Sequence, residues 1–156
     1  MDIVKTAVVF LCCCALAWGQ SETTPALPDG PGKNTFVSVC SLCHSPTAPL
    51  GKQWTRQEWE LKVIEMLQEE PDVTREERAA IVEYLTANFR PGGKIYVNFA
   101  TAKDLESALE ISAVEADAIV AHRKSKGDFK SIDDLKTVAG VKASSIDAKK
   151  DRLVFQ

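Results

Sequence analysis

The stretch Cys40-Ser41-Leu42-Cys43-His44 constrains this chain more than any other five residues. Two thiols with two residues between them, followed at once by an imidazole, fit on one helical turn. There both thiols reach the vinyl groups of one haem and the imidazole reaches its iron. A structural zinc site needs four ligands, and beyond residue 19 the chain offers Cys40, Cys43, His44 and the distant His122. A redox dithiol would end a strand in a βαβ unit, and none is visible. A plain disulfide leaves His44 without a purpose. The expected cofactor is one covalently bound haem c, with Cys40 and Cys43 as attachment points and His44 as an iron ligand.

The N-terminus agrees with that chemistry. Lys5 precedes an unbroken apolar run from Ala7 to Trp18, and Ala17 and Gly19 are small residues at the spacing a signal peptidase accepts. Residues 1–19 are expected to be a signal peptide, since the run is too short to span a bilayer. Leu11, Cys12 and Cys13 occupy the positions before Cys14 where a lipoprotein signal needs a small residue. Cleavage leaves two of five cysteines, too few for a disulfide framework. The protein is expected in the periplasm or outside the cell, with no membrane span after cleavage.

Residues 20–33 carry Pro25, Pro28 and Pro31 and little apolar content, and read as a linker. A short helix starting near Asn34 or Thr35 runs through Phe36 and Val39 into the cysteine motif, and 45–54 reads as loop. Thr55 with Glu58, and Thr74 with Glu77, are capping boxes. The first opens a helix carrying Trp59, Val63, Met66 and Leu67 and closed by Pro71; the second opens one carrying Ile81, Tyr84, Leu85 and Phe89. Pro91-Gly92-Gly93 marks a boundary that reads either as a hinge or as a packed turn. Beyond it come short helices with Asp104, Ser112 and Ser131 as N-caps and turns at Gly127 and Gly140. No strand alternation is visible. The expected fold is all-α in two modules, residues 34–91 and 94–156.

Elimination narrows the second iron ligand. Met66 is the only methionine after residue 19, and it shares a helix face with Trp59 and Val63, which should turn it inward. His122 lies beside Arg123 and Lys124 and reads as an exposed or DNA-facing residue. Charge differs between the halves. Residues 20–93 hold seven Lys/Arg against eleven Asp/Glu, a net of −4; residues 94–156 hold eleven against ten, a net of +1. Neither is the strongly basic body that advertises nucleic-acid binding by charge alone.

Residues 30–90, through CSLCH, WELKVIEMLQ and IVEYLTANF, resemble small single-haem cytochromes c that serve as electron-transfer subunits of periplasmic dehydrogenases. The resemblance implies covalent attachment at Cys40 and Cys43 and iron ligation by His44 and Met66. Residues 95–155, through VNFATAKDLESAL, ADAIVAHRKSKGDFKSIDDL and VAGVK, resemble the helix-hairpin-helix domain of the competence protein ComEA, a DNA receptor. In that family Gly-x-Gly turns let backbone N–H groups approach a DNA phosphate. Here the first hairpin has Glu110-Ile111-Ser112 and is expected to be structural only. The second has Gly140-Val141-Lys142 and keeps a phosphate contact through Gly140 and Lys142. Arg123, Lys124, Lys126 and Lys130, with Lys149, Lys150 and Arg152, supply further cations.

Two functions follow as expectations. In the first, an exported one-electron carrier binds double-stranded DNA without sequence preference, in an array along the polyanion, and exchanges electrons with a redox protein. In the second, the hairpin module docks onto a dehydrogenase or another protein. Catalysis is not expected, because no second histidine in the haem module could act as acid or base.

Overall fold

The computed structural model describes residues 26–70 and 72–156, so the segment expected to be a signal peptide lies outside the described residues. Helix α1 spans Lys33–Cys40, one to two residues earlier than the sequence suggests. Its N-cap is Gly32 at φ 84°, where a Cβ would meet the Ala80 carbonyl oxygen at 2.5 Å, so glycine alone lets the helix start this close to its neighbour. A 3-10 turn follows at Ala48–Gly51, within the stretch read as loop.

Helices α2, Arg56–Met66, and α3, Arg75–Asn88, begin at Thr55 and Thr74, and both capping boxes are formed. Helix α2 stops at Met66, before Pro71 is reached. Phe36, Leu50, Trp59, Val63, Leu67, Ile81, Tyr84, Leu85 and Phe89 form one buried cluster. The Phe89 carbonyl accepts both the Trp59 Nε1–H and the Trp54 N–H, each at 3.0 Å, tying the two tryptophans to the end of α3.

The residues read as a linker are held from Ala26 onward. Tyr84 Oη donates to the Pro28 carbonyl at 2.8 Å, Lys33 Nζ to the Leu27 carbonyl at 2.9 Å, and Gln156 Nε2 to the Ala26 carbonyl at 3.0 Å. Proline removes a donor but leaves its carbonyl free to accept, so a proline-rich stretch can still be tied down.

The second half contains α4, Ala102–Leu109, α5, Ala113–Lys126, α6, Ile132–Lys136, and α7, Ala143–Asp147. Helices α4 and α5 pack against each other, as do α6 and α7, around Leu105, Leu109, Ala116, Ile119, Phe129, Leu135, Val138 and Ile146. The N-cap of α4 is Thr101, and Asp104, expected there, stands at the third helical position and completes the capping box. Ser112 and Ser131 cap α5 and α6 as expected. One feature departs from an all-helical fold. β1, Ile95–Tyr96, pairs in parallel with β2, Leu153–Val154, joining the two ends of this half. Two residues per strand are too few to leave an alternating pattern.

Pro91-Gly92-Gly93 is a packed turn. Gln53 Nε2 donates to the Gly93 and Lys94 carbonyls at 3.1 and 2.8 Å, and Arg152 Nε donates to the Gly93 carbonyl at 2.8 Å. Gly51 lies against the backbone of Phe99 and Ala100, where a Cβ would stand 2.5 Å from the Phe99 carbonyl oxygen. Lys52 Nζ reaches Asp104 Oδ2 at 2.8 Å. The halves are therefore fastened by main-chain contact, hydrogen bonds and an ion pair. Among the described residues no helix is long and apolar enough to cross a membrane.

Candidate functional site

The cysteine motif straddles the end of α1 instead of lying within one helical turn. Cys40 is the last helical residue; the Ser41 N–H still bonds the Val37 carbonyl at 3.0 Å, and the chain then leaves the helix in turns. Cys43 and His44 consequently stand exposed while Cys40 is half-buried, and both thiols are free. Burial, with the neighbouring Cys43 second, pushes the Cys40 thiol up to about 11.

His44 Nδ1 lies 2.9 Å from the Ser45 carbonyl oxygen. A carbonyl can only accept, so this bond requires a proton on Nδ1, and in the neutral ring that leaves the lone pair on Nε2. Two apolar cavities meet at this place. One, of about 160 Å³, is walled by Val39, Leu42, Val63, Leu67, Glu70, Val73 and Ile81; the other, of about 180 Å³, by Phe36, Pro49, Trp54, Trp59, Lys62 and Leu85. Cys40, His44 and Met66 line both.

Met66 does not turn into the core as expected. It is 41 % exposed at the cavity rim, because α2 ends at this residue and the chain turns away. Leu42, 75 % exposed, stands on the same rim. Among the described residues no three His, Cys, Asp or Glu side chains gather as a metal cluster.

The second half has a positive φ at the same step of its two hairpin turns. Glu110 adopts φ 56°, ψ 46°, and Gly140 adopts φ 87°, so both turns use the left-handed region at the same step. Ser112 and Lys142 are the N-caps that follow. Residues 91–154 match the family model of the helix-hairpin-helix motif. No curated protein and no solved structure matches the chain.

The helix-hairpin-helix domain uses several of the groups expected to meet DNA for its own structure. Lys149 Nζ is ion-paired with Glu110, whose carboxyl is held below the usual range by that ammonium. Arg123 Nη1 donates to the Val97 carbonyl at 2.7 Å, and burial lowers the guanidinium's affinity for its proton. Lys149 and Arg123 are thus structural contacts, not free cations. His122, read as exposed, is half-buried and stacked on Phe129 at 5.2 Å.

Glu115 was missed by sequence reasoning, although Ser-x-x-Glu before an apolar helix is a legible signal. Its Oε2 accepts the Ser112 N–H and hydroxyl at 2.9 and 2.8 Å, and its Oε1 accepts the Lys142 N–H at 3.2 Å. One carboxylate therefore fills the N-terminus of α5 and takes the backbone donor expected to serve a phosphate in the second hairpin. Among the described residues no ion pair engages Lys124, Lys126, Lys130, Lys142 or Lys150, and all five are exposed.

Proposed function

We propose that this chain is an exported single-haem c-type electron carrier whose helix-hairpin-helix domain holds it to duplex DNA without sequence preference. The observation that carries the proposal is the convergence of two free thiols, a histidine with its Nε2 lone pair available, and a methionine on one pair of apolar cavities. The fit to haem is chemical. Two thiols suit two vinyl groups, each thioether arising by addition of S–H across a double bond with nothing lost. A borderline nitrogen and a soft sulfur suit an iron's two axial positions, and the apolar walls suit a macrocycle. Cys40 and Cys43 would hold the group, and His44 and Met66 would ligate its iron.

Haem supplies reversible one-electron chemistry, and thioether ligation raises its potential relative to two histidines. The residues of this chain provide the surroundings. The Ser45 carbonyl orients the His44 ring. Trp59, Val63 and Leu85 exclude water and lower the local dielectric, which also bears on the potential. The exposed rim at Leu42 and Cys43 offers a redox partner an approach, and nothing in the cleft recommends catalysis over transfer.

The DNA reading rests on the five exposed lysines named above, which would contact phosphates and not bases. The observation favouring a second reading, a protein-docking domain for a dehydrogenase or other surface protein, is that Glu115 and Glu110 already occupy hairpin donors and Lys149.

Two measurements separate these claims. Protein made in cells competent in cytochrome maturation should be coloured and exceed its polypeptide mass by one haem, and the C40A/C43A variant should lose both properties. A colourless wild-type protein overturns the electron-carrier proposal. Mobility shift on plain duplex DNA should weaken with salt, log K falling no more steeply than about −4.5 per unit log salt for five phosphate contacts. Absence of a shift at low salt leaves the docking reading.

A further inference from the structure

Arg78, one turn into α3, commits its guanidinium to three main-chain carbonyls. Nη1 donates to Leu67 O at 2.8 Å, Nη2 to Glu70 O at 2.7 Å, and Nε to Val73 O at 3.1 Å. All three acceptors belong to the return between α2 and α3, and Leu67, Glu70 and Val73 all wall the cavity that His44 and Met66 share. The Glu70 and Val73 N–H groups also bond the Leu67 and Glu70 carbonyls, at 3.2 and 3.3 Å, and the planar five-donor guanidinium adds one fork that ties all three carbonyls of the return together. Among the described residues no carboxylate pairs with Arg78, so its donors serve the loop.

Met66 is the residue immediately before that loop. Its side chain has three rotatable bonds and stands at an open rim, so packing alone does not hold the sulfur in the cleft. We infer that Arg78 is the positioning residue for the Met66 thioether, fixing the wall from which the sulfur reaches the iron. The inference rests on the haem reading above. With the three bonds gone, the return relaxes, Met66 swings toward water, and the sixth position of the iron opens to added ligands.

The test titrates imidazole into full-length haem-loaded wild type, R78Q, R78K and R56Q, following the visible spectrum and checking helix content by circular dichroism. Among the described residues Arg56 pairs with Glu60 and Glu83 on the surface, and it serves as the matched control. Loss of outer-shell support typically costs 10–100-fold in metal–ligand affinity, so R78Q should bind imidazole about tenfold or more tightly than wild type. R78K, offering one point charge for a fork, should fall between, and R56Q should match wild type. Wild-type affinity in a haem-loaded R78Q overturns the inference, as does an equal shift in R56Q. If R78Q does not retain haem, R78K decides by the same criterion. A wild-type protein without haem overturns the haem reading itself, a failure seen before any variant is compared.

Discussion

Cys40 and Cys43 are three positions apart and live in different surroundings, one half-buried at a helix end and the other in solvent. Burial keeps the Cys40 thiol protonated well above neutral pH, since its value is pushed up to about 11. In haem-free protein at mildly alkaline pH, iodoacetamide should modify Cys43 well before Cys40, as read by peptide mass spectrometry; equal rates would contradict the described burial. Glu110 is a second residue with a distinct cost, because a side chain at φ 56° is strained. Replacing it with glycine removes that strain at the loss of its ion pair with the half-buried Lys149. E110G should melt at or slightly above the wild-type temperature, and E110A, which keeps the strain and loses the pair, below it. The motif residues stand out in the sequence by residue type and spacing. Their exposure does not, because it depends on where α1 and α2 stop.

Among the described residues four helices begin with the same device, a threonine or serine whose side chain and a carboxylate three residues on satisfy each other's backbone donors. This is local chemistry, which is why Thr55–Glu58 and Thr74–Glu77 could be read directly. Helix ends were less legible. Pro71 looked like the stop for α2, yet the helix ends five residues sooner, where Arg78 gathers the carbonyls of the return, a contact no local pattern announces. The β1–β2 pair was invisible for the same reason: its partners lie 58 residues apart. Thr74→Ala should cost about 1 kcal/mol of stability in chemical denaturation, the usual worth of an N-cap. The capping carboxylates Glu58, Glu77 and Glu115 are all held below the ordinary glutamate value by bonds to their N-cap residues. A depressed acid stabilises the fold above its unfolded value, near about 4.3, and loses that contribution as pH falls through its folded value. Helix content and melting temperature should therefore hold steady from neutrality to about pH 5 and decline below about pH 4. A decline starting near pH 6 would point to histidine instead.

Two hydrophobic clusters, one around Tyr84 and Phe89 and one around Leu105 and Ile119, meet along the seam where Gly51 touches Phe99 and Lys52 meets Asp104. The sequence placed a boundary at residues 91–93 but left its stiffness open, since a glycine pair is equally at home in a hinge and in a turn sealed by Gln53 and Arg152. Gly51→Ala forces a methyl into the Phe99 carbonyl and should cost about 1–3 kcal/mol, the usual range for overpacking. The accompanying signature is a broadened or two-step thermal transition, measured by calorimetry, where the parent unfolds in one. The seam also limits how such a protein can be recombined. The turn carrying Pro49, Lys52 and Trp54 walls the cleft on one side and abuts the hairpin domain on the other. A hairpin domain grafted from an unrelated chain would arrive without an acid to receive Lys52 or a backbone shaped to Gly51. The hairpin half is thus not an interchangeable cartridge, and trading it would disturb the pocket next door.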